Sequence, residues 1–158
     1  MNRPLEKDVT IREATTSDVD TLIDYNCALA SETEGKKLNR ETLRAGLLAL
    51  LENPSRGKYL VAEINGEVVG QVMFTAEWSD WRNGEFWWLQ SVYVARKYRR
   101  QGIFRQLYQS IIDRAREQSE VVGIRLYVEL QNHTAQSTYQ HLGMVPAGYS
   151  VMETVDLR

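Results

Sequence analysis

The chain has 158 residues, 43% hydrophobic and 25% charged, with a formal net charge of −2 and a single cysteine. This is the composition of a soluble globular protein of one domain, long enough to bury roughly 70% of its unfolded surface, and the charge balance excludes a general polyanion binder. Cys27 alone excludes an intrachain disulfide framework. No apolar run approaches the roughly 20 residues of a membrane span, and Met1-Asn2-Arg3-Pro4 lacks the apolar core of a signal peptide. The expectation is a reduced, cytoplasmic protein with neither membrane nor nucleic acid as partner.

Residues 1–8 are polar and are expected to be a disordered N-terminus, followed by one domain over 9–158. Val9 to Ala14 alternates as a first strand. Thr15-Thr16-Ser17-Asp18 supplies helix-capping chemistry for a helix from about Val19 to Ala30. Ser31 to Lys37 reads as a polar loop. A second helix is expected from about Arg40 to Glu52, capped by Asn39 and carrying Leu43, Leu47, Leu50 and Leu51 as an apolar stripe. Tyr59–Ile64 and Glu67–Phe74 flank Asn65-Gly66, the strongest short-range hairpin signal, and the second of these strands can run on to Trp78. The turn from Ser79 to Gly84 leads to an apolar strand, Trp87 to Val94. A helix with Ile103, Leu107, Ile111 and Ala115 at helical spacing follows, then a strand over Val121–Leu130 and a short helix from Asn132 to about His141. Ser150 to Asp156 alternates as a last strand.

Two stretches carry chemistry. In the first, the strand ending Val92-Tyr93-Val94 passes through a basic turn, Arg96-Lys97-Tyr98-Arg99-Arg100-Gln101-Gly102, into the helix that opens Ile103-Phe104-Arg105. First-turn amides of a helix have no intrahelical partner, the helix dipole favours an anion there, and a glycine lets the backbone approach it closely. Arginine and lysine add charge that pairs with phosphate. The alternative is a solvated basic loop. The second stretch is Asn132-His133-Thr134-Ala135-Gln136-Ser137-Thr138-Tyr139, in which Asn132, Ala135 and Tyr139 share one helical stripe. Tyr139 is either a proton donor or a core aromatic with its hydroxyl at the rim.

Arg99-Arg100-Gln101-Gly102-Ile103-Phe104 resembles the phosphate-binding motif of the GCN5-related N-acetyltransferases, Gln/Arg-x-x-Gly-x-Gly/Ala, with Phe104 departing at the final small position. The Asn132–Tyr139 stretch, followed by Gly143-Met144, resembles the family's second motif, and the element order agrees over nearly the whole chain. The resemblance implies a mixed α/β (α+β-type) acetyltransferase fold. Its central, mostly antiparallel sheet would have splayed fourth and fifth strands and about four flanking helices. It implies an acetyl-CoA-dependent N-acetyltransferase acting on a primary amine of a small molecule or protein by direct attack, with acetyl-CoA as co-substrate, no metal, and a homodimer as a possible state.

Residue by residue, the resemblance gives Val92, Tyr93 and Val94 to the cofactor's pantetheine arm and to polarising the thioester carbonyl. It gives Arg99, Arg100, Gln101, Gly102, Ile103, Phe104 and Arg105 to the diphosphate. Asn132 and Ala135 would line the passage of the cofactor chain, and Tyr139 would be the general acid that protonates the departing thiolate. A phenol, protonated at neutral pH, can do this. For the acceptor, Trp78 and Trp81 offer aromatic faces suited to a cation, with Glu32, Glu34 and Asp80 as counter-charges. Gln90 stands where the polyamine acetyltransferases have a glutamate, so it supplies no base. Phe104 and Gln90 keep open an alternative, a catalytically weak acyl-CoA-binding sensor or regulatory module of the same fold.

Overall fold

The computed structural model describes residues 8–158; the expectation of disorder at the N-terminus falls largely on residues 1–7, outside the described residues. The chain divides into two compact units, one ending at Leu126 and one running Tyr127–Arg158.

The first unit holds a five-stranded sheet in the order β1-β2-β3-β4-β5: β1 (Thr10–Glu13), β2 (Lys58–Ile64), β3 (Glu67–Ser79), β4 (Gly84–Val94) and β5 (Val121–Leu126). Neighbours are antiparallel except β4 and β5, which are parallel. The β2–β3 hairpin turns at Asn65 and Gly66, both at positive φ (51° and 78°), the conformation that Asn-Gly adopts most readily. Helices α1 (Val19–Glu34), α2 (Arg40–Leu51) and α3 (Ile103–Arg116) complete the unit. Asn39 caps α2 by accepting from the Thr42 amide at 2.9 Å, as its side chain predicts.

The sheet has a core on each face. On one, Leu60, Ala62, Val72, Phe74, Trp87 and Leu89 pack with Ile103, Leu107, Ile111 and Ala115 of α3, the four residues the helical period selects. On the other, Val19, Leu22 and Ile23 of α1 and Leu47 of α2 cover Tyr59 and Val61. Trp87 and Trp88 point to opposite faces as neighbours on a strand must; Trp87 is buried and Trp88 half-buried. Among the described residues no helix is long and apolar enough to cross a membrane.

In the second unit, α4 (His133–His141) is capped by Asn132, whose side-chain Oδ1 accepts from the Ala135 amide at 3.1 Å. It ends where Gly143 takes a φ of 91° and the Met144 amide donates to the Tyr139 carbonyl.

Three expectations need correction. The helix α1 continues one turn past Ala30, so Ser31–Glu34 is helix and the loop starts at Gly35, whose φ of 63° ends it. The strand expected over 121–130 stops at Leu126. Residues 150–156 form no strand and are exposed throughout. Alternating apolar residues make a strand only where another strand takes up the backbone hydrogen bonds, and periodicity carries no information about that partner.

Candidate functional site

In β4 the paired and unpaired parts of one strand meet. The ladder with β5 runs from Glu85–Val121 to Leu89–Leu126 and ends there, while the ladder with β3 continues to Val94–Gly70. Among the described residues of the first unit, β4 from Gln90 to Val94 therefore has a strand on one side only.

Backbone directions along this segment follow from two hydrogen bonds. The Ala95 amide donates to Val69 O at 2.9 Å, so Ala95 faces β3. Val94 then faces away from β3, and its carbonyl accepts from Arg99 Nε at 2.8 Å. By the two-residue period Val92 faces the same open edge.

Between them and the paired half lies a bulge. Gln71 opposes Tyr93 and Met73 opposes Gln90, so Val72 faces both Ser91 and Val92. Ser91 has a φ of 52°, a left-handed conformation rare for a residue with a side chain. Gln71, fully buried, donates from Nε2 to the Ser91 carbonyl at 2.9 Å. Tyr59, 4% exposed, accepts from Asn26 Nδ2 at 3.2 Å and has the Ser91 side chain near its hydroxyl. Burial pushes the Tyr59 hydroxyl above the usual phenol range. Sequence reading missed both Ser91 and Gln71. The available signal was Gln71 itself, an amide inside the apolar run Val68–Phe74.

The basic turn follows. Gly102, at a φ of 78°, is the N-cap of α3. The first helical backbone bond is from the Gln106 amide to Gly102 O, which leaves the amides of Ile103, Phe104 and Arg105 without intrahelical acceptors. Gly70 on β3 makes room for this turn: a Cβ there would stand 3.1 Å from Ile103 and 3.4 Å from Leu107. Arg100 also sits at positive φ (59°). Phe104 is half-buried with its ring tilted against Tyr108, 6.2 Å between centroids.

The cations of the turn divide into two sets. Arg96 Nε and Arg99 Nη2 donate to opposite oxygens of Glu32, at 2.9 and 2.7 Å, and Lys97 pairs with Glu67 at 2.9 Å. Tyr93 Oη donates to Glu32 at 3.1 Å. Burial raises the Glu32 pKa, but the hydrogen bonds from Arg99 and Arg96 outweigh it and hold the carboxyl below the usual range. Gln101 Nε2 closes the turn on Lys97 O at 2.9 Å. Arg100 and Arg105, both exposed, have no hydrogen-bond or ion-pair partner among the described residues.

Of the residues expected around an acceptor, Glu32 is thus joined to Tyr93 and the basic turn, and Glu34 pairs with Lys36 at 2.6 Å. Gln90 donates to Thr75 Oγ1 at 2.9 Å. Trp78, Asp80 and Trp81 lie at the far end of the β3–β4 hairpin, with Trp78 and Trp81 58% and 87% exposed. Trp78 opposes Glu85, five residues from Gln90, which is about 16 Å along a strand. The structure does not gather these residues into one pocket. A hollow of about 240 Å³ bordered by Phe74, Trp87, Lys58 and Arg114 lies elsewhere, and its two cations are both engaged by Glu13.

In the second unit Asn132, Ala135 and Tyr139 share one stripe of α4, and burial pushes the Tyr139 hydroxyl above the usual phenol range.

Comparison with known proteins sets these features in context. The family model described as Acetyltransferase (GNAT) family matches residues 22–144. A crystal structure of a possible acetyltransferase from Clostridium difficile 630 is 45% identical with a TM-score of 0.89, covering 95% of this chain and 99% of that one. A predicted acetyltransferase with acetyl-CoA from Clostridium acetobutylicum has a TM-score of 0.76 at 16% identity, over 92% of this chain and 96% of that one. A ribosomal-protein-alanine N-acetyltransferase from Brucella melitensis biovar Abortus 2308 has a TM-score of 0.76 at 18% identity, over 94% and 99%. At those identities the last two show a common fold. No curated protein matches the sequence.

Proposed function

This chain belongs to the acetyltransferase (GNAT) family, and on that premise we propose that it is an acetyl-CoA-dependent N-acetyltransferase of a primary amine. The observation that carries the reading is a half-open strand followed by a helix start: among the described residues of the first unit, β4 from Gln90 to Val94 has a strand on one side only, and the first-turn amides of α3 have no intrahelical acceptor. An amide-rich ligand arm satisfies a strand edge as another strand would, and a diphosphate suits the N-terminus of α3, where the dipole and the first-turn amides favour an anion. Arg100 and Arg105, without an ion-pair partner among the described residues, supply positive charge on either side of the Gly102 turn.

In this reading Val92 and Val94 hold the donor's pantetheine arm, and the Val92 amide polarises the thioester carbonyl where negative charge develops. The amine attacks that carbonyl directly, the carbon–sulfur bond breaks, and Tyr139 delivers a proton to the departing thiolate. A phenol is protonated at neutral pH and so carries the proton to give. Arg99 acts chiefly through the protein: its guanidinium ties Val94 O to Glu32 and so fixes the end of the open edge.

The test is release of free thiol from acetyl-CoA against a panel of amines, with Tyr139→Phe assayed beside the native protein. Amine-dependent release that falls on the order of 10²-fold in kcat in the variant supports the assignment. Tight binding of acetyl-CoA with no release for any amine would instead favour the sensor reading.

A further inference from the structure

Burying an amide side chain among aliphatic residues is costly unless its polar atoms are matched, and Gln71 is 0% exposed with Val69 and Val72 beside it at 0%. Its Nε2 is matched by the Ser91 carbonyl, but its Oε1 is buried without a partner among the described residues. The residue it holds is Ser91, kept in the left-handed region without being glycine. Two unfavourable features thus coincide at one point of the sheet, and such costs persist where the surroundings enforce them for a purpose. That point is the start of the open half of β4.

The surroundings are specific. Ser91 has a polar neighbour from each of two strands: Gln71 of β3 takes its carbonyl, and Tyr59 of β2, steadied by Asn26 of α1, stands near its side chain. Asn26 is in turn anchored on the Leu22 carbonyl at 2.8 Å. Drawing the Ser91 carbonyl onto a side chain removes it from the ladder and sets the following residue, Val92, toward the open edge.

We propose that Gln71 is a positioning residue for acyl transfer: its buried carboxamide fixes the Ser91 bulge and thereby aims the Val92 amide at the donor's carbonyl oxygen. This rests on the reading of the open β4 edge as the acyl-donor site. Gln71 itself touches no reacting atom. A carbonyl oxygen that becomes more negative during attack gains most from an aimed donor, so loss of aim lowers kcat more than donor affinity.

The experiment compares native protein with Gln71→Met, close in length and without hydrogen-bonding atoms, and with Tyr59→Phe. For each, fraction folded is measured by circular dichroism, acetyl-CoA affinity by calorimetry, and kcat by thiol release. The expected result for Gln71→Met is a tenfold or greater fall in kcat per folded molecule with acetyl-CoA Kd changed less than threefold. Tyr59→Phe should fall in the same direction by a smaller factor, and it carries the test if Gln71→Met does not fold. An unchanged kcat per folded molecule with a lowered Tm would overturn the proposal by reducing Gln71 to a structural role. If native protein binds acetyl-CoA without turnover, the reading of an enzyme fails, but the positioning claim is still tested. Amide exchange at Val92, slowed by acetyl-CoA in native protein and not in Gln71→Met, supports it, and equal slowing in both overturns it.

Discussion

From Glu85 to Leu89, β4 has a strand on either side; from Gln90 to Val94, among the described residues of the first unit, it keeps β3 alone. The paired half is closely fitted. Gly84 lies against Val122 and the Glu120 carbonyl, Gly123 of β5 leaves its space to the Phe86 ring, and the Glu85 amide donates to Glu120 O at 2.8 Å. The open half instead contains a bulge, a left-handed serine whose carbonyl is held by the buried amide of Gln71 on β3, and a terminal carbonyl held by an arginine rather than a strand. One half of the strand is arranged for stability. The other keeps backbone groups available, and side chains from α1, β2, β3 and the basic turn hold it in place of a neighbouring strand. That contrast explains how a sheet can offer a strand edge without collapsing onto the next strand.

The largest expected effect lies at the entry to the paired half. Gly84→Ala would put a Cβ 2.7 Å from the Glu120 carbonyl, which is backbone and cannot swing aside. Overpacking of this kind costs roughly 1–3 kcal/mol. Thermal unfolding should show a lowered Tm while kcat per folded molecule stays unchanged. Lost activity without lost stability would erase the distinction between the halves.

Arg99→Ala acts on the open half. It frees the Val94 carbonyl and removes one of the two arginines on Glu32. Acetyl-CoA Kd measured by calorimetry should rise about tenfold, equivalent to about 1.4 kcal/mol, with Tm little changed. An unaltered Kd would mean that the terminal carbonyl needs no tether.

A smaller effect concerns pH. Since Glu32 has a folded-state pKa below its ordinary value, its ion pairs stabilise the fold above the unfolded carboxylate range and lose that contribution as pH falls through the folded value. The Tm difference between native protein and Glu32→Gln should therefore be constant near neutrality and shrink below about pH 4.3. A difference independent of pH would show that the carboxylate's charge is not what holds the turn.

Much of the paired architecture was readable from local pattern. Asn65-Gly66 names its own turn, and Ile103, Leu107, Ile111 and Ala115 name the face of α3 that meets the sheet. Gly102 was legible for the same reason, since a helix start after a basic turn is a local event. Glu32 was read as a loop residue facing an acceptor because its partners, Arg96 and Arg99, lie 64 and 67 residues on. The Ser91 bulge was invisible because alternation reports which face a residue takes, whereas a bulge is a mismatch in counting between two strands. Residues 150–156 show the converse: a strand-like pattern with no strand formed.

The central claim is that the open half of β4 and the first turn of α3 together receive the acyl donor. Amide hydrogen exchange with and without acetyl-CoA tests it residue by residue. The account predicts slowed exchange at Val92, Val94 and Ile103 to Arg105 on adding acetyl-CoA, with Trp87 to Leu89 equally slow in both conditions. Exchange at Val92, Val94 and the α3 first turn that is indifferent to saturating acetyl-CoA would contradict it.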